Sequence, residues 1–237
     1  MSQLILIPGL ASDAVMWQAQ LGALRPHYQP HVTDVHGRHA TIDAMAQALL
    51  EEHPGELLLC GASMGGIVAM EAARQAPGRI KGLALLGTNA RPETDDMRKL
   101  RGTAIVFFEQ GRALELLRVN LPLAFHASRA GDSALTQAYL DFVMAAGGAQ
   151  LVRQNRAIMD RPDARLHLAG IRCPVLVMCG DSDQLTPPEC SREIAALVPQ
   201  AQLVIVPQCG HMLTMEQPDI VNRCLLDWLL SLPGSTR

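Results

Sequence analysis

In the stretch LLLCGASMGG, residues 57–66, one hydroxyl stands among small residues: Ser63, two residues after Gly61 and two before Gly65. The pattern G-x-S-x-G suits a sharp turn from a strand into a helix, where a Cβ at either glycine would strike a neighbouring element. An apolar run precedes it and a helical pattern, GGIVAMEAARQA, follows it. Such a turn strains the serine backbone and stands the Oγ at the top of the sheet, near the positive end of the helix. The alternative is an ordinary turn with no chemistry.

A serine hydroxyl is a weak nucleophile. It needs a base, and the base needs an orienting group. Among eight histidines, His31, His36 and His39 read as surface or loop residues without metal-site spacing. His53, His126 and His167 lie in polar or helical surroundings, and His27 precedes Tyr28 in a turn-like stretch. His211 differs, because it sits in VPQCGHMLTMEQP just past the last apolar run, with Gly210 leaving room beside it. The segment VLVMCGDSDQLTPPE offers two acids. Asp181 reads as a turn residue bonding its own backbone. Asp183 is set farther out, in reach of an imidazole. Negative charge developing on a carbonyl oxygen needs two donors. Met64 N–H, directly after the serine, is one; Leu10 N–H, in the loop PGLASDAVMW, is the other, with Gly9 allowing close backbone approach.

These residues need a frame. LILI (residues 4–7), QPHVTD (a weaker strand pattern), ELLLCGA, IKGLALLGT, CPVLVMCGD and AQLVIVP read as six strands. Thr41 reads as the N-cap of a helix that puts Ile42, Met45, Leu49 and Leu50 on one face. The last helix carries Ile220, Val221, Cys224, Leu225, Trp228 and Leu229 on one face. Unbroken apolar strands separated by helices predict a parallel sheet covered on both faces, hence a doubly wound α/β fold. Ligands in such folds sit outside the carboxyl ends of the strands, where Ser63, Asp183 and His211 all fall. From about residue 90 to residue 169 the strand pattern stops and helices such as RALELLRVNL and SALTQAYLDFVMAA take over. Phe107, Phe108, Phe125 and Phe142, all four phenylalanines, lie here with Tyr139. These rings either pack the insertion onto the sheet or line a substrate pocket beneath it.

The chain has 237 residues, 49% of them hydrophobic, which excludes disorder and allows a sizeable core. A net charge of -3 gives no reason to expect nucleic acid or an anionic membrane as a partner. Six cysteines without a C-x-x-C pair read as free thiols in a reducing cytoplasm. The N-terminal apolar run is short and ends at Pro8-Gly9, unlike a signal peptide or a membrane span, which needs roughly 18 apolar residues.

Together these segments resemble the α/β-hydrolase superfamily, in its compact, esterase-like branch with a single cap. IPGLASDAVMW is similar to the family's oxyanion segment, with Trp17 where an aromatic often follows. DVHGRHAT is similar to its D-x-x-G-x-G-x-S loop, with His39 and Thr41 in place of the second Gly and the Ser. GASMGG resembles the nucleophile elbow, GDSDQLTPPE the pattern G-x-x-D-x-x-x-P, and GHMLTMEQP the pattern G-H-x-x-x-x-E-x-P. The order Ser63, Asp183, His211 is the family's triad order. Two departures stand out. Pro8 occupies the place where a His usually precedes the oxyanion Gly, removing a side chain that supports the loop. The chain also starts on what would be the family's third strand. The resemblance therefore implies a mostly parallel sheet of about six strands lacking the usual two N-terminal strands. It implies one domain over residues 1–237 with a helical cap at about 90–169.

It further implies a serine hydrolase cleaving carboxylic esters, needing no cofactor and no metal, and placed in the cytoplasm. Met64 and Met212 flank the catalytic positions, which points to small or medium apolar substrates. Trp17, Phe107, Phe108, Phe125, Phe142 and Met212 are the pocket candidates. Dehalogenases and epoxide hydrolases of the superfamily carry an Asp at the elbow, which Ser63 disfavours. Within the same triad chemistry a thioesterase, an enol-lactonase, a C–C bond hydrolase and a perhydrolase remain open. Outside it stand a hydrolase-like ligand receptor and an interaction protein using an exposed sheet edge, which could also serve a homodimer.

Overall fold

Every apolar run named above folds as a strand, and among the described residues all six strands pair in parallel in one sheet. The computed structural model describes residues 2–233. The chain enters through β1 (Gln3–Ile7), passes a 3₁₀ segment (Ala14–Trp17) into α1 (Gln18–Leu24), and crosses to β2 (His31–Val32). Helices α2 (Val35–Arg38) and α3 (Ile42–Glu52) lead to β3 (Leu57–Ala62), α4 (Met64–Gln75) and β4 (Ile80–Leu86). Then come α5 (Asp95–Glu109), α6 (Ala113–Ala124), α7 (Ser133–Met159) and α8 (Arg165–Leu168) without an intervening strand. The elements β5 (Val175–Gly180), α9 (Pro188–Leu197), β6 (Ala201–Val206), α10 (Leu213–Glu216) and α11 (Pro218–Ser231) follow. The strand order is β2-β1-β3-β4-β5-β6. This is the α/β-hydrolase fold.

Side chains alternate across the sheet because the strand period is two. Leu4, Leu6, Leu58, Cys60 and Ala62 join one core with α1, α11 and the helices α5 to α7. Ile5, Ile7, Leu57 and Leu59 join the other with α3, α4, α8 and α9. Both faces are apolar, so the runs look unbroken in sequence. Helix α3 starts where expected: Thr41 accepts a hydrogen bond from Ala44 N–H at 3.1 Å, a cap contributing about 1 kcal/mol. Helix α11 buries Val221, Leu225, Trp228 and Leu229, with Ile220 and Cys224 partly buried beside them.

Three features depart from the sequence reading. Strand β2 is only two residues long, paired to β1 through Ile5–His31 and Leu6–Val32. Strand β6 lies at the sheet edge, so it is not covered on both faces; Leu203 is 37% exposed. The helix expected to end near residue 146 runs on to Met159 after a kink at Gly147, whose φ of 76° and ψ of 159° are non-helical. A side chain rarely tolerates that φ, and a Cβ on the next residue, Gly148, would press on the Phe108 carbonyl at 2.9 Å. The Gly-Gly pair therefore lets α7 change direction against α5. Among the described residues no helix is long and apolar enough to cross a membrane.

Candidate active site

Strand β3 is one of the inner strands of the sheet, and its last residue hands directly over to Ser63. Ser63 takes φ 52° and ψ -116°, a backbone that costs a non-glycine residue about 1–3 kcal/mol. Its surroundings hold it there. Ser63 N–H donates to Leu86 O at 2.8 Å, and Thr88 Oγ1 donates to the Ser63 carbonyl at 2.7 Å. The glycines are required by contact. A Cβ on Gly61 would overlap the Gly65 carbonyl, and one on Gly65 would overlap the Ile7 carbonyl at the end of β1. Both obstacles are backbone, which cannot swing aside. Gly65→Ala should therefore lose about 3 kcal/mol or more of stability; an unchanged urea midpoint would contradict this close approach.

Asp183 and His211 reach the same point from the loops after β5 and β6. Ser63 Oγ lies 3.0 Å from His211 Nε2, and His211 Nδ1 lies 2.8 Å from Asp183 Oδ2. A carboxylate only accepts, so Nδ1 carries the proton and the neutral ring offers its Nε2 lone pair to the serine hydroxyl. Asp183 is 3% exposed, and its other contacts are donors. Leu185 N–H and Thr186 N–H give to Oδ1 at 2.9 Å each, and Thr186 Oγ1 gives to Oδ2 at 2.8 Å. Burial alone would raise this carboxyl. The His211 charge and hydrogen bond, with the Thr186 donors, outweigh it and hold the group below its ordinary value. For His211 burial alone would lower the pKa; Asp183 and the Glu216 charge hold it above the ordinary value.

The histidine loop is clamped from two sides. His211 N–H and Met212 N–H both donate to Ala124 O, at the end of α6. Glu216 is 3% exposed and accepts from Gly210 N–H at 3.0 Å and His126 N–H at 2.7 Å. Burial raises its carboxyl despite those donors. The glutamate of the G-H-x-x-x-x-E-x-P pattern thus ties the histidine loop to the segment between α6 and α7. Asp181 does not cap its own turn. Its carboxylate accepts Gln208 N–H at 2.9 Å and Cys209 N–H at 3.2 Å, pinning the loop after β6 to the loop after β5.

Between β1 and the 3₁₀ segment, the loop of residues 9–12 passes beside the serine. A Cβ on Gly9 would sit 3.4 Å from Ser63 Cβ and 3.6 Å from Ser12 Oγ. Three of its four amides are occupied. Gly9 N–H donates to Met16 Sδ at 3.4 Å, Ala11 N–H to Gln154 Oε1 at 2.7 Å, and Ser12 N–H to Gly9 O at 3.2 Å. Leu10 N–H has no acceptor among the described residues. Met64 N–H, at the first residue of α4, is a first-turn donor without an intrahelical acceptor. His36, read as a surface or loop residue, is instead 3% exposed, with its Nε2 2.8 Å from Ser12 O. No spacing rule signals that contact, because α2 reaches the loop only through the β1–β2 pairing.

The pocket candidates are mostly core. Trp17, Phe108, Phe125, Phe142 and Met212 are buried in one hydrophobic cluster. Tyr139 stands edge-on to both Phe125 and Phe142, with ring centroids 5.4 Å away in each pair. Phe107 is half-buried, with the Arg112 guanidinium 4.4 Å above its ring. A cavity of about 420 Å³ opens beside residues 11–14, between the loop after β2 and α7. Phe142 is the only one of the six candidates that lines it, and Ser63 does not.

A hydroxyl, an imidazole and a carboxylate linked in this order can move a proton off the hydroxyl. The chain's relatives share the frame. It is 26% identical over 234 residues to a pimeloyl-[acyl-carrier protein] methyl ester esterase from Nitrosomonas europaea, covering 93% of both chains. A thermophilic esterase from Thermogutta terrifontis superposes with a TM-score of 0.86 at 26% identity, covering 97% of this chain and 89% of that one. The enol-lactonase from Burkholderia xenovorans LB400 superposes at 0.87 and 24% identity, covering 98% and 92%. The alpha/beta hydrolase family pattern itself matches residues 4–223, from the first strand into the last helix. The chain belongs to the alpha/beta hydrolase family.

Proposed function

We propose that this protein is a serine hydrolase that cleaves carboxylic esters through an acyl-enzyme on Ser63. The observation that carries the reading is the unbroken chain Ser63 Oγ, His211 Nε2, His211 Nδ1, Asp183 Oδ2, with steps of 3.0 and 2.8 Å. His211 takes the serine proton as Oγ attacks the ester carbonyl. Asp183 fixes the imidazole tautomer and stabilises the imidazolium. Leu10 N–H and Met64 N–H receive the oxyanion. His211 then gives its proton to the leaving alcohol, and water releases the acyl group by the reverse route. The similarity to a methyl ester esterase and a thermophilic esterase supports an ester as substrate. Helices α5 to α8 act as the cap, and the apolar side chains that α5 to α7 turn toward the sheet favour small or medium apolar substrates.

Initial rates on p-nitrophenyl esters of increasing acyl length test this directly. Turnover with a defined length optimum supports the reading and sizes the pocket. A folded protein inert to every ester would turn the assignment to a C–C bond hydrolase or a ligand receptor. The electrostatics add a second expectation. His211 must be neutral to act as base, and its neighbours favour the protonated form. Activity is therefore lost as pH falls through a pKa above the ordinary 6.5. The acid limb of kcat/KM should have its midpoint above that value, and a midpoint at or below it would contradict the coupling to Asp183 and Glu216.

A further inference from the structure

We infer that Gln154 and His36 are positioning residues for the oxyanion hole, holding residues 9–12 in the backbone path that leaves Leu10 N–H free. The inference rests on the serine-hydrolase reading and deepens it. Ala11, next to Leu10, has φ 55°, in the left-handed region that a side chain disfavours. Such a backbone persists only where its surroundings impose it. The loop imposes little by itself. Its internal bonds are two long ones from Ser12, N–H to Gly9 O at 3.2 Å and Oγ to Leu10 O at 3.3 Å, and neither engages Ala11. Pro8 brings neither an N–H nor a polar side chain.

The constraint comes from two distant elements. Gln154, 143 residues along the chain from Ala11, extends from the second half of α7 and is fully buried. Its Oε1 accepts Ala11 N–H at 2.7 Å, and its Nε2 donates to the His36 carbonyl at 3.0 Å. His36 then turns its ring onto the loop, and Nε2–H donates to Ser12 O at 2.8 Å. A carbonyl only accepts, so this contact sets the tautomer. Burial holds the ring below the ordinary histidine pKa, which keeps it neutral. The Arg153 guanidinium also donates to the Gly37 carbonyl, fastening α2 to α7. Loop, α2 and α7 thus close on one another through buried hydrogen bonds. A fully buried amide is unfavourable unless its hydrogen bonds are made. Here both ends of the amide are spent on aiming the loop.

The amide that matters binds an oxyanion, which exists only after attack. Loosening the loop should therefore lower kcat and leave KM nearly unchanged. Misplacement by about 1 Å costs about 10²-fold. The test is Gln154→Met, which keeps the bulk and removes both hydrogen bonds, with active sites counted by a fluorescent phosphonate. On p-nitrophenyl butyrate we expect kcat per active site to fall about 10–100-fold with KM within about 3-fold. Affinity for an alkyl trifluoromethyl ketone, whose adduct carries the oxyanion, should fall by the same factor. His36→Phe, which removes only the donor to Ser12, should give the same pattern, about 3–10-fold. An unchanged kcat and ketone affinity in Gln154→Met, whatever its melting temperature, would reduce Gln154 to packing and overturn the proposal. If that variant does not fold, the same null result in His36→Phe overturns it. A wild type inert to both esters and phosphonate would remove the serine reading, and this proposal with it.

Discussion

Ser63→Ala should lower kcat on any ester by about 10⁵–10⁶-fold while leaving the fold intact. The size follows from what the substitution removes. Without Oγ there is no acyl-enzyme, and His211 Nε2 loses the group it would deprotonate. Water can then be the only nucleophile, helped by whatever the oxyanion donors still supply, which leaves a residual rate above the uncatalysed one. The fold should survive because Ser63 is anchored by its main chain, through Leu86 O and Thr88 Oγ1. The strained backbone remains compatible with an alanine as much as with a serine. Rates at enzyme concentrations high enough to see single turnovers, with circular dichroism as a control, decide the matter. A fall of less than about 100-fold would mean that another nucleophile carries the reaction.

Asp183→Asn should cost about 10⁴-fold in kcat through a different route. An asparagine fits the same space, and its oxygen can still accept Leu185 N–H and Thr186 N–H in place of Oδ1. Its NH₂ then occupies the place of Oδ2, 2.8 Å from His211 Nδ1. A donor there demands a lone pair on Nδ1, which moves the ring proton to Nε2. Nε2–H now faces Ser63 and cannot take its proton. The geometry is preserved and the tautomer is wrong. The pH dependence should change as well, because Asp183 helps hold His211 above its ordinary value. The acid limb of the residual activity should shift downward. A variant within about 10-fold of wild type would show that the imidazole is oriented by something other than Asp183.

The nucleophile candidate, its base and its acid were legible in sequence because each lies in a short segment with its own local requirement. Gly61 and Gly65 mark a turn, Gly210 directly precedes His211, and Asp183 lies two residues past another acid, although what Gly210 makes room for is the distant Phe125–His126 backbone. The sheet was legible for a related reason: strands buried on both faces cannot hide their apolar runs. Contacts across long separations left no such trace. Gln154 meets Ala11 because α7 bends at Gly147 and packs against α2, and no periodicity in SALTQAYLDFVMAA announces the bend. His36 looked like a loop residue because two residues of β2 are too short a strand to show where the next turn is buried. The exposure of β6 was equally invisible, since being last in a sheet is a matter of strand order and not of composition. The aromatics were read as lining a pocket or packing a core; burial puts most of them in the core.

The carbonyl of Ala124 has a consequence for traffic. It accepts both His211 N–H and Met212 N–H, so the last turn of α6 and the base share one hinge pin. A swing of that corner away from the sheet would unseat the histidine, and Glu216 would lose His126 in the same movement. If the proposed triad holds, lifting the α6 end would therefore withdraw the base from Ser63 and stop the reaction, so α6 is the fixed edge of this side of the molecule.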